Sequence, residues 1–433
     1  MEGIRKGRMD DLRRFAGLIN TKIPPTILDA ALESLGSRFH IPENGEDEES
    51  ESEKHRQPSP GNLFLFWCLC TVASLDSRDW SNEPSARTRY LQAITKMWQG
   101  AAGWLFAISF KRTEVGIGHL EYLALVSRLH EIVLGNELTR GCIMDSAIPI
   151  TFAAHLWFID KEDEAPEKGI DAQTIFEGRS YPLSLVCKSA RTVKEVEKIT
   201  KETMYYTKHM VKGVDGSEFV AEILRRRLRT VAGPKDDASY SVRSITMSLE
   251  IAWFFLERCT NRAIREAFDQ SLGLSLFLLY IGHFVFEKEM DGDALAIVTR
   301  CFYLVHSFIC EENGALEAAI ETGMTVLLYK VSRHMDTFDC ALQNVLLHIL
   351  EKVIGAMTAP STFYCISEQA GQLFLENYKH DVDNFWSERL KDMEDLLLER
   401  TIFANEFANG RIDESGFCDN VGGNIFNLLV LNT

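Results

Sequence analysis

Leu342-Gln-Asn-Val345-Leu346-Leu-His-Ile349-Leu350-Glu-Lys-Val353-Ile354 steps its apolar residues by three and four. That period puts Leu342, Val345, Leu346, Ile349, Leu350, Val353 and Ile354 on one stripe of an α-helix, whereas a strand would alternate every second residue. Upstream, Leu295, Val298, Phe302, Val305 and Phe308 repeat the pattern. Strand-type alternation is hard to find elsewhere, so the fold class is all-α. Spacing divides the C-terminal half into long helices near 292–312, 315–333, 336–356, 361–378 and 383–408, with Gly314, Asp336 and Pro360 at their joints.

Paired helices of about twenty residues make units of about 40–47, the period of HEAT and armadillo arrays. An amphipathic helix cannot bury its stripe alone, and stacking neighbours buries it. The expected architecture is therefore an α-α superhelix (HEAT/armadillo-like) or stacked helical hairpins, with a plain helical bundle as the alternative. The repeat rests on helix spacing, since no residue-level consensus joins the units.

The chain has 433 residues, 46% of them hydrophobic and 25% charged, an ordinary globular composition. Single cores stop growing near about 250–300 residues, which favours several domains or one elongated array. A formal net charge of −17 argues against a nucleic-acid partner, because phosphate binding needs a basic face. Residues 1–40 read as an N-terminal helical pair, with Pro24-Pro25 opening its second helix. Residues 41–61, rich in Glu, Ser and Pro, have little to bury and read as a disordered acidic linker. Within it, Ser50 has Glu53 three residues on and Ser59 precedes Pro60, which makes both candidate phosphorylation sites beside the plainer reading of a solvated spacer. The helical body spans 62–411. Two loops, 160–185 and 233–239, set a sub-boundary between 160 and 235.

Ten cysteines could suggest disulfides, but Cys68, Cys70, Cys259, Cys301, Cys310 and Cys340 lie among apolar residues in helical stretches and read as small hydrophobes. No Asn-x-Ser/Thr acceptor occurs, so a reducing, intracellular compartment is expected. The apolar stretches Leu272–Phe286 and Asn62–Ala73 fall short of the roughly twenty residues a span needs, and they read as buried helices with no membrane partner.

Catalytic and metal motifs break off one after another. His130-Glu131 would need a second His where Leu134 stands. Asp291-Gly292-Asp293 lacks the further oxygens of a calcium loop and reads instead as the turn and N-cap opening the helix of Leu295. Gly116-Ile-Gly118 lacks a third glycine and a preceding strand. Cys68 and Cys70 point to different helix faces. His306 and Cys310 share a face, with Cys301 behind them, but sit among Phe302, Leu304, Val305 and Phe308 and read as core. No metal or cofactor is expected. One dense basic run remains: Arg225, Arg226, Arg227 and Arg229, with Glu222 a turn earlier. It is either a solvated face with local ion pairs or a docking patch for an acidic partner.

Phe417-Cys418-Asp-Asn420-Val-Gly-Gly423, behind a long helical region, resembles the entrance to the C-terminal zinc finger of a group of fungal MYND-type proteins. In that comparison Cys418 matches the first zinc ligand and Asn420 the family's Asn, while Gly423 stands where the second Cys is expected. No further Cys or His follows Cys418, so tail 412–433 has one ligand of the about four a zinc site needs. Either the finger is lost or the reading frame departs near Val421. The resemblance implies protein–protein interaction. The expected function is a non-enzymatic interaction scaffold built on stacked helices that binds an unknown protein or peptide. An all-α enzyme without a familiar motif is the alternative.

Overall fold

The computed structural model describes residues 60–357 except 78, 111–114, 159–170, 211–214, 232–241, 260, 270–272, 286–289 and 313, together with 10, 30–34 and scattered positions from 362 to 399. Every regular element among the described residues is helical. The chain is all-α. Contacts divide it into two compact units, Met1–Ile223 with Ala238–Asn261, and Leu224–Asp237 with Arg262–Thr433. Of the three switches between units, those after Asp237 and Asn261 lie beyond the 160–235 window read from the loops.

The first unit contains α1 (Pro60–Ser74), α2 (Pro84–Ser109), α3 (His119–Leu134), α4 (Glu137–Met144), α5 (Ala147–Phe158), α6 (Ala172–Ser189), α7 (Val193–Met210) and α9 (Val242–Trp253), the last running into a π-helical turn at Phe254–Arg258. The division passes through α8 (Gly216–Val231). Pro60 and Gly61, assigned above to the linker, belong to α1, and a proline in the first turn costs no hydrogen bond.

One expected loop is in fact the centre of this unit. Residues 172–189, the first fourteen of them in the 160–185 stretch read as irregular, form α6, which packs against α3, α5 and α9. Gly178 and Pro182 suggested turns, yet both serve the helix. Asp171 caps it, its Oδ1 accepting from the Thr174 amide at 2.8 Å. Pro182 sits inside the helix and is buried, and having no amide hydrogen it cannot bond the carbonyl four residues back, that of Gly178. Gly178 itself faces α3 closely: a Cβ there would lie 2.9 Å from Leu123 Cβ. Tertiary packing overrides local propensity here.

The turn from α6 into α7 is fixed by a capping box. Thr192 Oγ1 accepts from the Glu195 amide at 3.3 Å, and Glu195 Oε2 accepts from the Arg191 and Thr192 amides at 2.7 and 3.0 Å. Arg140 of α4 adds a guanidinium that reaches both Glu195 oxygens and the Ser189 carbonyl, closing the end of α6. Burial raises the Glu195 carboxyl, but the two amides and Arg140 outweigh it and hold the group below its usual value.

The second unit contains α10 (Arg262–Asp269), α11 (Gly273–Val285), α12 (Gly292–Glu311), α13 (Ala315–Glu321), α14 (Met324–Val331) and α15 (Cys340–Ala356). Asp291 caps α12 as expected, accepting from the Ala294 amide at 2.7 Å. The α12 stripe buries Val298, Phe302, Val305 and Phe308, and the α15 stripe buries Leu342, Leu346, Ile349, Leu350 and Val353. These stripes pack α12 against α11 and α15. The helix expected over 315–333 is broken in two by Gly323, whose φ of 108° lies where a side chain is strained, and 336–339 precedes α15 instead of opening it. Helices 361–378 and 383–408 fall largely outside the described residues.

By length and composition, α12 is the helix among the described residues that could cross a membrane. Half of its apolar window is buried within the protein, and the helix carries Asp293, Arg300 and Glu311. Two further pairs, α4 with α5 and α10 with α11, reach that composition only together and are bent by 78° and 71°. The stretches weighed above, α11 and α1, are shorter.

Gly178→Ala should test the α6–α3 contact. Alanine gains about 0.5–1 kcal/mol of helix propensity over glycine, but the clash is with Leu123 Cβ, which cannot rotate away, and overpacking costs about 1–3 kcal/mol. Urea denaturation should show net destabilisation, and Leu123→Ala, which keeps the Cβ but removes the Cδ1 that lies equally close, should make the double change cost less than the two single changes combined.

Candidate functional site

Of the four arginines in the basic run, Arg227 is buried at 6% exposure, Arg225 and Arg226 are half-buried, and Arg229 is exposed. Arg227 is therefore withdrawn from the surface that Arg225, Arg226 and Arg229 still reach. Three consecutive residues on a helix span about 200° of its circumference, so one of them had to turn inward. Ser50, Ser59 and Cys418 lie outside the described residues.

The first unit holds a serine, a histidine and a tyrosine in line. Ser109 ends α2, His155 lies on α5 and Tyr206 on α7. His155 Nε2 is 2.9 Å from Ser109 Oγ, and its Nδ1 is 2.7 Å from the Tyr206 hydroxyl. All three are buried. A Ser–His pair is the start of a nucleophilic site only if the imidazole can take the serine proton. The Phe106 carbonyl, 2.6 Å from Ser109 Oγ, competes with His155 Nε2 for that one proton. With the serine proton on Phe106, Nε2–H donates to Oγ, Nδ1 accepts from Tyr206, and the ring is not a base toward the serine. The trio is a polar pin joining α2, α5 and α7, enclosed by the Phe106 and Phe110 rings at 4.9 and 4.6 Å from the imidazole.

Burial pushes the His155 imidazole down to about 4, helped by the charge of Arg179. His130, the residue of the broken zinc-protease motif, is fully buried against Trp98, and its Nδ1–H donates to the Val126 carbonyl at 2.8 Å. Burial brings it to about 4 as well. Both are core histidines held neutral.

Two surface hollows are open grooves. One of about 650 Å³ is bordered by Asp76, Asp79, Trp80, Arg87 and the exposed Leu138. The other, of about 710 Å³, runs along α7 past Lys201, Met204, Tyr205 and Lys208 to Asp215 and Ser217 at the start of α8. Tyr205 is 59% exposed.

In the second unit, His306 and Cys310 were read above as core. They are not. Cys310 is exposed, His306 is half-buried, and His348 of α15 is exposed beside them. His306 Nε2 lies 2.6 Å from His348 Nδ1 and 3.5 Å from Cys310 Sγ, and the three ligand atoms all fall within 4.8 Å of one another. The i, i+4 pair was visible in the sequence, whereas His348 joins it from 42 residues away through α12–α15 packing. Cys301, on the inner face, is buried, and Cys340 is exposed instead of core.

The paired core histidines predict acid sensitivity. Each has a folded-state value near 4, against about 6.5 unfolded. The unfolded chain therefore binds more protons between those values, so the stability they contribute is complete above pH 6.5 and is lost as pH falls toward 4. From pH 7 to pH 5 each should cost about 2 kcal/mol. His155→Gln should lower stability at pH 7 and flatten its pH dependence by about that share, measured as urea midpoints at the two pH values.

Comparison with protein-family models, with curated proteins and with solved structures finds no match to this chain.

Proposed function

We propose that this chain is a non-enzymatic interaction scaffold, an armadillo-like stack of helices that binds a protein or peptide along α7. One observation carries the reading: exposed Tyr205 stands beside half-buried Met204 in an open groove of about 710 Å³, flanked by Lys201 and Lys208. Tyrosine supplies large contact area at small entropic cost and is enriched among residues that dominate binding energy. Methionine adapts its shape to an irregular partner. The lysines with Glu202 and Asp215 form a mixed-charge rim that sets register more than affinity. The likeness of the Cys418 region to MYND-type proteins and the net charge of −17 favour the same class, with no nucleic acid involved. The other class weighed, an all-α enzyme, would draw on Ser109 and His155, which are buried and whose serine proton the Phe106 carbonyl competes for.

A photoreactive amino acid at position 205 tests the groove, with the exposed Glu197 of the same helix as control. Irradiation in native extract should give a discrete adduct from 205 and none from 197, and Lys201→Glu with Lys208→Glu should reduce it about tenfold, the scale of two rim charges. Equal labelling from both positions, or an adduct indifferent to the lysines, would remove the proposal.

A further inference from the structure

We infer that His306, Cys310 and His348 form a zinc-type metal site on the surface of the second unit, with two imidazoles and one thiolate as protein ligands and a fourth position left for water or an outside donor. This goes beyond the scaffold reading and does not depend on it.

Local structure supplies the first two ligands. His306 and Cys310 are four apart on α12, so their side chains stand one turn apart on the same face. The packing of α12 on α15 supplies the third, His348, which α15 presents on its exposed side beside the buried Ile349 and Leu350. The residues flanking the cluster are held by cores on both helices, so the two backbones are fixed while the three ligand side chains remain adjustable at the surface.

The distances fit the chemistry. Tetrahedral zinc with Zn–S of about 2.3 Å and Zn–N of about 2.05 Å places sulfur and nitrogen about 3.5 Å apart and two nitrogens about 3.3 Å apart. Cys310 Sγ and His306 Nε2 are already 3.5 Å apart. His306 Nε2 and His348 Nδ1, at 2.6 Å, share a hydrogen bond, and a small rotation of the exposed His348 ring opens that gap. The ring centroids are 4.9 Å apart and the two ring planes are inclined by 59°, so the rings are not stacked. One thiolate and two neutral imidazoles suit zinc better than magnesium or calcium, which prefer oxygen donors.

Charge around the cluster is mixed. Lys352 of α15, one turn beyond His348, brings a positive charge to the neighbourhood of His306. The same Lys352 charge repels a cation, so the thiolate of Cys310 must supply the compensating charge. Three ligands with a free fourth position describe a site that can accept a donor from a substrate or a partner protein.

Cobalt(II) titration of the full chain, stripped with chelator and kept reduced, tests this. The expected result is one cobalt per chain with a near-ultraviolet thiolate-to-cobalt band and the strong visible bands of four-coordinate cobalt, all bleached by one equivalent of zinc. His348→Ala and Cys310→Ser should each abolish the thiolate band or weaken binding by at least about 100-fold, since loss of an outer-shell partner alone costs about 10–100-fold. Cys340→Ser, at the start of α15 and outside the cluster, should leave it unchanged. Circular dichroism and the thermal midpoint of the metal-free variants should match wild type, because both altered side chains are exposed. Zinc should raise the midpoint of wild type and Cys340→Ser and not that of the other two. Absence of a thiolate band, its persistence in His348→Ala, its loss in Cys340→Ser, or failure of zinc to displace cobalt would each overturn the assignment.

Discussion

The approach of α6 to α3 at Gly178 is the contact on which the first unit depends. A helix that touches α3, α5 and α9 must be narrow somewhere, and Gly178 against Leu123 is where it is narrow. The rest follows from holding α6 in that position. Asp171 starts it, the Arg140–Glu195 bracket closes it, and Ser244 of α9 donates to Glu177 Oε1 at 2.8 Å one residue before the glycine. Each of these polar contacts is worth about 1–3 kcal/mol at most, less than the apolar burial they frame. Their role is to set where one helix stops and the next begins.

A comparable device organises the second unit. Arg265 of α10 is 7% exposed at its side chain, lies 4.5 Å over the Phe308 ring, and meets Glu311, Glu312 and the Ser307 hydroxyl at the C-terminal end of α12. Two carboxylates gathered at the negative end of a helix would be unfavourable without that guanidinium. Asp269 nearby shows the tension: burial and the Glu312 charge raise its carboxyl, and Arg265 only partly opposes them. Gly273 is fixed by crowding as well, since a Cβ there would fall 2.3 Å from the Phe268 ring.

The all-α class was legible because apolar residues three and four apart admit one secondary structure. The cap at Asp291 was legible for the same local reason. What escaped was decided by tertiary contact. Gly178 and Pro182 carry turn chemistry, and nothing in their neighbours announces that α3 needs a glycine to pack against. Gly323 splits a continuous helical pattern because its backbone adopts a positive φ. Arg227 turns inward while Arg229 stays out, a difference set by which side of α8 is covered. The His306–Cys310 pair was read, and its partner His348 was not, since sequence spacing cannot report a contact between helices 42 residues apart.

Four histidines show how burial separates chemistry within one fold. His130 and His155 lie inside: both nitrogens of His155 are engaged, by Ser109 and Tyr206, whereas His130 bonds the Val126 carbonyl through Nδ1 and leaves Nε2 buried without a partner. Burial away from water disfavours the charged form of both rings, so they stay neutral. His306 and His348 stand at the rim of two packed helices, bonded chiefly to each other and to a thiol. A hydrogen bond between two imidazoles is easily exchanged for a shared cation, because each ring gives up one contact and gains a stronger one. The core therefore fixes the helices, and the edge of the same stripe retains groups free to bind.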